Sequence, residues 1–436
     1  MPMADRSAGQ LVVLAAVALS SCLPELDREL PCVDLGPRPE RSWPDGPAAD
    51  LVPRDSGVDQ RRCTTDAECD DSAACTSDRC QAGTCVNTLQ AGYCLIAAAC
   101  VAAGSLQGTD PCVTCDPTSS TSDWTRLSCV RTLAGDGVHG DDDGAATSAS
   151  FRNPTDVAID AAGQVYVADS DNHRIRAIAA GQVSTHAGSN AGNLDGTLAA
   201  ARFNKPLGVW IDGQGRLLVA DRGNNLIRLV SGGTVSTLPS GTDLVGPGGG
   251  WTLGSGEILV ADTFHHRIGK MPAGGGAVST VAGVTNKAGH LDGAASSALF
   301  FYPMSLVADS KGTIYVVDTF THTVRSISGG TVATVAGTPS QEGFADGPAS
   351  SARFRFPRGI AIDAQDTLYV SDTQNHRVRM IKGGQVTTLA GSGTQGFKDG
   401  LAAAAELDWP WGLEVDGSGQ VYVADSGNDR VRVITP

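Results

Sequence analysis

Residues 165–174 of this chain have the sequence VYVADSDNHR, and the apolar run that ends at Asp169 decides the fold because it occurs six times. The other five copies of the run are Leu217–Asp221, Ile258–Asp262, Ile314–Asp318, Leu368–Asp372 and Val421–Asp425. Their aspartates follow one another at intervals of 52, 41, 56, 54 and 53 residues. Six units at a nearly constant period indicate a repeat architecture in which each copy is one supersecondary unit.

Each copy predicts four short β-strands. In the fifth copy, the runs 359–363, 368–372, 377–381 and 385–391 are rich in β-branched residues and are separated by Gly and Asp turns. One four-stranded sheet of this size cannot bury its own faces, so the copies have to stack around a common axis. We therefore predict an all-β fold, a six-bladed β-propeller with four-stranded blades.

The ends of the repeat region predict how the ring closes. The sixth copy stops at its third strand, residues 431–434. Residues 130–135, VRTLAG, match the fourth strand of the first copy, residues 183–188, VSTHAG. We expect this N-terminal strand to complete the last blade, which removes free sheet edges. The propeller is predicted to span residues 130–436.

The cysteines predict a separate small module before the propeller. All 12 cysteines precede residue 130, and this density is typical of a disulfide-rich module in an exported protein. The pairing is not fixed by the sequence, and the partner of Cys32 stays open. The module is predicted to span residues 63–129. Its expected disulfide-forming residues are Cys63, Cys69, Cys75, Cys80, Cys85, Cys94, Cys100, Cys112, Cys115 and Cys129.

The first 62 residues predict export and a membrane anchor. Residues 1–21 have the pattern of a signal peptide, and their apolar run, residues 11–19, is too short to span a bilayer. Residues 19–22, LSSC, resemble a bacterial lipobox, which implies that Cys22 is lipidated; the alternative is an ordinary signal peptide with Cys22 in a disulfide. Residues 22–62 are Pro-rich and predict a tether. We expect an exported protein, lipid-anchored to the bacterial outer membrane or cell surface.

The turn that follows each repeated aspartate suggests a family. It reads Asn172-His173-Arg174 in the first copy, with related residues in the other five. Together with the strands this resembles the NHL-repeat family, named for Asn-His-Leu at this turn. The resemblance covers residues 130–436 and implies a propeller that serves mainly as a binding platform for proteins, RNA or small ligands. A few relatives are enzymes, such as the peptide-amidating lyase. The cysteine pattern around Cys94 and Cys112 resembles modules in surface proteins of myxobacteria.

Charge and symmetry argue against two kinds of site. The chain has 32 Lys and Arg against 47 Asp and Glu and lacks basic clusters, so we expect no nucleic-acid partner. The recurring histidines would be spread around the ring by its symmetry, which favours a structural role in the turns over a shared metal site. These histidines are His173, His265, His266, His322 and His376.

A longer insert precedes five of the six copies. It begins at an Asp-Gly pair, such as Asp143-Gly144, and ends at an apolar residue, such as Phe151, three residues before a proline. We expect the apolar residue to fill the gap between blades. The third copy lacks the insert, which accounts for its 41-residue spacing.

Binding residues are expected where the copies differ, on the positions that flank the repeated prolines at the channel mouth. Aromatic and Arg side chains there are typical of binding hot spots, although the same rings could simply pack between blades. A low rim of glycines, Gly246 and residues 248–250, lies beside them. The candidate ligand-binding residues are Tyr302, Met304, Phe356, Arg358, Trp409, Trp411 and Lys205.

One carboxylate departs from the repeat. Glu414 stands where the other copies have Ala158, Trp210, Trp251, Val307 and Ala361. A carboxylate at such a position is paired or functional, and Glu414 and Asn153 are the candidate metal or polar channel residues.

We expect no catalytic residues and no cofactor, with a divalent metal such as calcium as the alternative. The predicted function is a surface-anchored binding scaffold, expected to be a monomer, for a protein, peptide or glycan. The alternative is a metal-dependent hydrolase or lyase, lactonase-like or amidating-lyase-like, working in the channel.

Overall fold

The computed structural model describes residues 127–436, except 240 and 242, together with the backbone of seven short strands between residues 76 and 126. The predicted signal peptide, the lipidation site at Cys22 and the tether lie outside the described residues. The seven strands are β1 (Thr76–Gln81), β2 (Thr84–Leu89), β3 (Tyr93–Ile96), β4 (Ala99–Ala102), β5 (Leu106–Gln107), β6 (Asp110–Thr114) and β7 (Thr125–Arg126).

The remaining strands form six antiparallel sheets, which are the blades of a β-propeller, as the repeats predict. Blade 1 contains β9 (Gly144–Ala145), β10 (Pro154–Ile159), β11 (Val165–Asp169), β12 (Arg174–Ala179) and β13 (Gln182–Ala187). Blade 2 contains β14 (Gly196–Thr197), β15 (Pro206–Ile211), β16 (Leu217–Asp221), β17 (Leu226–Ser231) and β18 (Thr234–Leu238). Blade 3 contains β19 (Pro247–Thr252), β20 (Ile258–Asp262), β21 (Arg267–Met271) and β22 (Ser279–Ala282).

The other three blades repeat the same order. Blade 4 contains β23 (Gly293–Ala294), β24 (Pro303–Ala308), β25 (Ile314–Asp318), β26 (Thr323–Ser328) and β27 (Thr331–Ala336). Blade 5 contains β28 (Gly347–Pro348), β29 (Ile360–Ile362), β30 (Leu368–Asp372), β31 (Arg377–Lys382) and β32 (Gln385–Ala390). Blade 6 contains β8 (Cys129–Ala134), β33 (Gly400–Leu401), β34 (Pro410–Val415), β35 (Val421–Asp425) and β36 (Arg430–Thr435).

The N-terminal strand closes the ring, as predicted. In blade 6, β8 pairs with β36 on one side and with β33 on the other, and Val130 stands opposite Ile434. The innermost strands β10, β15, β19, β24, β29 and β34 contact one another in sequence and line the central channel. The side chain of Val130 is fully buried, so the closing strand contributes to the core of the last blade.

The insert predicted from the Asp-Gly pairs adds a fifth strand to five blades. In blade 1, β9 pairs with the outermost strand β13, which covers an edge that would otherwise be free. Phe151, at the end of the same insert, is fully buried in a cluster that also contains Ala424 and Val431 of blade 6. The insert therefore both protects the outer edge and fills the gap between neighbouring blades.

The repeated aspartate belongs to a buried ion-pair network. Asp169 and Arg176 have no exposed side-chain area, and Arg176 Nη1 donates to Asp169 Oδ2 at 2.8 Å. Arg176 Nη2 donates to Asp143 Oδ1 at 2.6 Å, and the Arg176 guanidinium lies 5.2 Å from the centre of the Phe151 ring. Its Nε donates to Asp143 Oδ1 at 3.2 Å, and the guanidinium also donates to two backbone carbonyls, so all five of its N–H groups are used. The equivalent arginines, all fully buried, are Arg228, Arg325, Arg379 and Arg432.

Blade 3 differs from the other five blades in its buried arginine and in its insert. Gly269 occupies the position opposite Val260 that an arginine occupies in the other blades, and a Cβ added there would lie 2.6 Å from Val278. Arg267 replaces the missing arginine, since its Nε donates to Asp262 Oδ2 at 2.8 Å. Blade 3 therefore lacks only the insert, which explains its shorter repeat. Its buried arginine stands two residues earlier in the blade, and Leu244, three residues before Pro247, is buried where the other blades have their apolar plug.

A disulfide joins the cysteine-rich region to the propeller. Cys112 in β6 is bonded to Cys129, the first residue of the closing strand β8, and Leu127 N donates to Cys112 O at 2.8 Å. These are two of the ten predicted disulfide-forming cysteines; the side chains of the others lie outside the described residues. In the part of the chain that the structure describes, no helix is long and apolar enough to cross a membrane.

Candidate functional site

The turns that follow the repeated aspartates, several of which contain a histidine, connect each blade to the next. His173 has a left-handed backbone, and its Nδ1 accepts a hydrogen bond at 3.0 Å from the backbone N–H of Lys205, which precedes the proline of blade 2. His266 binds Tyr302 N in the same way at 3.3 Å, while Asn225 Oδ1 binds Gly246 N at 2.7 Å. The predicted structural role of these residues is therefore to form a hydrogen bond from one blade to the backbone of the next, and we call this contact the histidine latch. We call the side of the propeller that carries these turns the histidine face.

The channel is almost closed just below this face. The residues at the first and second positions after each repeated proline surround a cavity of about 20 Å³, which has room for about one water molecule. Glycines allow this narrowing: a Cβ on Gly208 would lie 2.4 Å from Gly248 O, and one on Gly412 would lie 2.0 Å from Asp156 Oδ1. We call this narrow segment the throat. It is too narrow for a ligand, so a ligand of the channel would bind on one side of the throat or the other.

The structure separates the predicted rim residues into three groups. Tyr302, Met304 and Trp411 are buried, at 7%, 4% and 8% exposure, and pack between blades. Phe356, Arg358 and Trp409 are half-buried at the histidine face. Lys205 is exposed and reaches Asp171, with 3.4 Å between Nζ and Oδ1. The second and third groups expose part of their side chains at the histidine face.

The predicted rim of glycines is covered by aromatic rings. A Cβ on Gly246 would lie 2.0 Å from the ring of Phe264, and a Cβ on Gly250 would lie 2.6 Å from the indole of Trp210. These glycines therefore do not leave a gap beside the channel. They allow two large side chains to lie close against the shortened third blade.

A continuous aromatic band crosses the histidine face from blade 3 to blade 5. Its rings meet edge-to-face at centroid distances of 5.3 Å for Phe264 and Tyr302, 5.1 Å for Tyr302 and Phe320, and 5.3 Å for Phe320 and Phe356. Phe301 stacks on Phe320 at 5.0 Å. We call these five residues the aromatic band. Apart from Tyr302 its members are half-buried, so they expose apolar surface next to one another.

Arginines lie at both ends of this surface. Arg222, in the turn of blade 2, lies 5.2 Å above the Phe264 ring, and its Nη2 donates to the Tyr302 hydroxyl at 2.8 Å. Arg358 lies 3.8 Å above the Trp411 ring and 5.5 Å above that of Trp409. Cation–π contacts of this kind hold the guanidinium groups in place beside the rings.

Sequence reasoning missed Phe264, Phe320 and Arg222. Phe264 and Phe320 occupy the second position after the repeated aspartate, where other blades have Asp171, Gly223, Gln374 and Gly427. Arg222 occupies the first position after it. The variation among copies at these two positions is the signal that would have found them.

The two candidate channel residues do not share a site. Asn153 lies on the histidine face, where its N–H donates to Asp429 Oδ1 at 2.8 Å. Glu414 lines a cavity of about 560 Å³ at the other end of the channel. Among the residues that the structure describes, no three His, Cys, Asp or Glu side chains are grouped so that they could hold a metal ion.

Two carboxylates inside the channel are perturbed by their surroundings. Burial raises the pKa of Asp156 to about 8, and the nearby charge of Glu414 adds to this rise. Burial also raises the pKa of Glu414 to about 7. Asp156 Oδ1 and Oδ2 accept hydrogen bonds from the backbone N–H groups of Val157 and Val209 at 3.0 and 2.9 Å, so this side chain is held in place between blades 1 and 2.

Comparison with known proteins identifies the repeats. The NHL repeat family matches residues 151–178, 354–379 and 407–434, which belong to blades 1, 5 and 6. NHL repeat-containing protein 2 of Bos taurus is 28% identical over 335 residues, covering 64% of this chain and 46% of that protein. The chloroplastic protein SUPPRESSOR OF QUENCHING 1 of Arabidopsis thaliana is 26% identical over 275 residues, covering 56% and 26%. The chain thus spans less than half the length of these curated relatives.

Solved structures share the fold at lower identity. A protein of unknown function from Bacteroides thetaiotaomicron has a TM-score of 0.59 and 17% identity, covering 83% of this chain and 87% of its own. An auxiliary nutrient binding protein from Bacteroides ovatus has a TM-score of 0.57 and 18% identity, covering 83% and 88%. The chain therefore contains NHL repeats, has homologues among NHL repeat-containing proteins, and folds as a six-bladed β-propeller.

Proposed function

We propose that this chain is a binding scaffold that holds a protein, peptide or glycan partner on the histidine face of its propeller. The observation that carries the proposal is the aromatic band, which exposes adjoining apolar rings between Arg222 and Arg358. Aromatic and Arg side chains supply most of the binding energy in protein interfaces. The aromatic band also lies at positions where the sequences of the blades differ. The residues common to all blades already make the contacts that stabilise the fold.

Among the three partner classes, the geometry favours a peptide segment of a protein. Rings that meet edge-to-face cover part of the flat faces on which a sugar would stack. The grooves between such rings suit apolar side chains, and the flanking guanidinium groups suit carboxylates. We therefore expect a partner segment that combines apolar and acidic residues.

Two further observations are in keeping with a binding role. Solved proteins that share this fold are described as auxiliary nutrient binding proteins. The formal net charge of −15 disfavours nucleic acid as the partner. The enzyme alternative, a metal-dependent hydrolase or lyase, needs a ligand set in the channel, and Asn153 is not among the residues that line the cavity with Glu414.

We also propose that the protein is exported and anchored by a lipid on Cys22. The lipobox-like residues 19–22 support the anchor, and the disulfide between Cys112 and Cys129 suits an oxidising compartment. Expression of the full chain in a bacterial host with a labelled fatty acid tests this. Label should be incorporated by the wild type and lost in Cys22→Ala; equal labelling of both would contradict the anchor.

A selection with random peptides tests the binding surface. A phage-displayed library is selected on the purified protein, and enriched peptides are measured by fluorescence anisotropy. We expect enrichment of apolar and acidic residues, and binding about tenfold weaker in Phe320→Ala, as for loss of one hot-spot side chain. Phe344→Ala is the matched control, since Phe344 is 44% exposed but lies outside the band. Unchanged binding by Phe320→Ala would overturn the proposed surface.

A further inference from the structure

The larger of the two channel cavities lies on the face opposite the histidines. Each innermost strand ends there in a hairpin, such as the one that joins β10 to β11, and we call this side the hairpin face. The cavity measures about 560 Å³, which falls within the range of about 300–1,000 Å³ for small-molecule sites. Blades 1, 2, 3 and 6 form its walls, and all the residues that line it belong to the described part of the chain.

Aromatic side chains form much of this wall. Trp210 and Trp251 occupy the same position in neighbouring blades, and blade 6 contributes Tyr422. Trp210 Nε1 donates to Thr252 Oγ1 at 3.1 Å, which fixes the indole and satisfies its one polar group. Trp210 is only 5% exposed and packs in the core between blades 2 and 3, so it lines the cavity with a small part of its ring. Trp251 and Tyr422 are half-buried and contribute further aromatic surface.

The charge of the lining has one sign. Asp160, Asp416 and Glu414 are all in the wall, and no Lys, Arg or His is among the described residues that line it. Asp416 Oδ1 binds the turn of its own hairpin, and its Oδ2 accepts from the Tyr422 hydroxyl at 3.3 Å. Glu414 is different, because Oε1 accepts from Val415 N at 3.0 Å and no described protein group donates to Oε2. One carboxylate oxygen at the channel end of the cavity is therefore left for a ligand.

We propose that this cavity is a second binding site, which takes a small soluble organic cation bearing a methylated ammonium group. The aromatic walls attract the cation through their π faces, and they favour methylated over bare ammonium because the methyl groups are easily desolvated. Glu414 supplies the opposite charge at the end of the cavity nearest the throat, while Asp160 and Asp416 make the entrance electronegative. The site is independent of the aromatic band, because the narrow throat separates the two faces.

Titration calorimetry of the full chain with choline tests the proposal, and the uncharged carbon analogue dimethylbutanol serves as the matched ligand. We expect choline to bind and dimethylbutanol to bind about tenfold more weakly or not at all. Equal binding of both would show an apolar cavity and overturn the proposal. Absence of choline binding, or preferential binding of a methyl glucoside, would overturn it as well.

Variants locate the binding. At about pH 8.5, above the Glu414 pKa of about 7, Glu414→Gln should weaken choline about tenfold, because it removes the charge and keeps the shape of the side chain. Glu342→Gln is the control, since Glu342 is exposed and outside the cavity. Trp251→Leu should weaken choline several-fold while leaving dimethylbutanol unchanged. If Glu414→Gln and Trp251→Leu both bind choline like the wild type, the site lies elsewhere.

A vesicle experiment separates a free cation from a lipid headgroup. Phosphatidylcholine vesicles carry the same methylated ammonium group, and co-sedimentation measures whether they retain the protein. Purified chain lacking the lipid, as in Cys22→Ala, should stay in solution. Retention on vesicles without binding of free choline would overturn the assignment to a soluble ligand.

Discussion

Asp169 and Arg176 form an ion pair in which neither side chain has any contact with solvent, with 2.8 Å between Arg176 Nη1 and Asp169 Oδ2. The same pair recurs in five of the six blades and connects the insert to the sheet through a second aspartate. A buried pair of this kind adds little net stability compared with apolar residues, but removal of one partner leaves a buried charge. The network therefore fixes the position of each insert against its own blade.

Removal of one such arginine should destabilise the protein strongly. We expect Arg325→Ala to lower the free energy of unfolding by about 3–5 kcal/mol, because Asp318 is then left buried without its partner. Denaturant unfolding measures the change. Arg353→Ala, at an exposed arginine in the insert of blade 5, should change it by about 0.5 kcal/mol or less. Equal effects of the two substitutions would contradict the structural role.

Ring closure depends on the N-terminal strand. Val130→Asp places a charge in the fully buried side of β8, and we expect a loss of about 3 kcal/mol or more in the free energy of unfolding. Val138→Asp is the matched control, because Val138 is 61% exposed. If Val130→Asp unfolds at the same denaturant concentration as Val138→Asp, strand β8 does not close the propeller.

The histidine latch should weaken in acid. Burial lowers the pKa of His266 to about 4, below the ordinary value of 6.5. Between these two values the unfolded chain binds a proton that the folded chain excludes, so stability is complete above about pH 6.5 and falls as the pH drops towards 4. His266→Asn, which copies the Asn225 latch, should lose less in thermal midpoint between about pH 7 and pH 4.5. An identical acid-induced drop in variant and wild type would rule out this contribution.

Glu414 should lower the stability of the protein as the pH rises, which is the opposite pH dependence to that of His266. Its folded-state pKa of about 7 lies above the ordinary 4.5, so its contribution to stability is present in acid and is lost as the pH rises through 7. Glu414→Gln should therefore be more stable than the wild type at about pH 8.5, with the difference disappearing at about pH 4. Thermal unfolding at the two pH values measures this. A difference that does not change with pH would mean that Glu414 is not buried as described.

Calcium separates the binding and enzyme hypotheses. Because no suitable group of three ligands occurs among the described residues, we expect calcium and a chelator to leave the thermal midpoint unchanged. Elemental analysis of the purified protein checks the same point. A bound divalent ion, together with a calcium-dependent shift that disappears in Glu414→Gln, would favour the hydrolase or lyase alternative.

The fold could be predicted from the sequence because the six copies of the repeat show the number of blades and the strands that each blade contains. Six aspartates in register indicate six blades, and the match between residues 130–135 and 183–188 indicates the closing strand. The arginine seven residues after five of the six aspartates was also readable, yet its burial was not expected because a charged side chain is ordinarily assigned to the surface.

The candidate site was only partly predictable. Glu414 and the two tryptophans stand at equivalent positions, but their place at the end of the channel away from the histidines depends on strand direction and length. Phe264 and Phe320 escaped notice because each sits in a turn that otherwise holds polar residues or glycine. Tyr302 and Trp411 were expected at an open rim. Instead, the rings of Phe264 and Phe320 pack against Tyr302, and the close approach of the blades at the throat buries Trp411.

The crystal structure of the protein with a selected peptide tests the central claim most directly. We predict peptide density across the histidine face, with apolar side chains against Phe264, Phe320 and Phe356 and an acidic group near Arg222 or Arg358. A peptide bound elsewhere, on the blade edges or in the hairpin-face cavity, would contradict the assignment of the aromatic band as the binding surface.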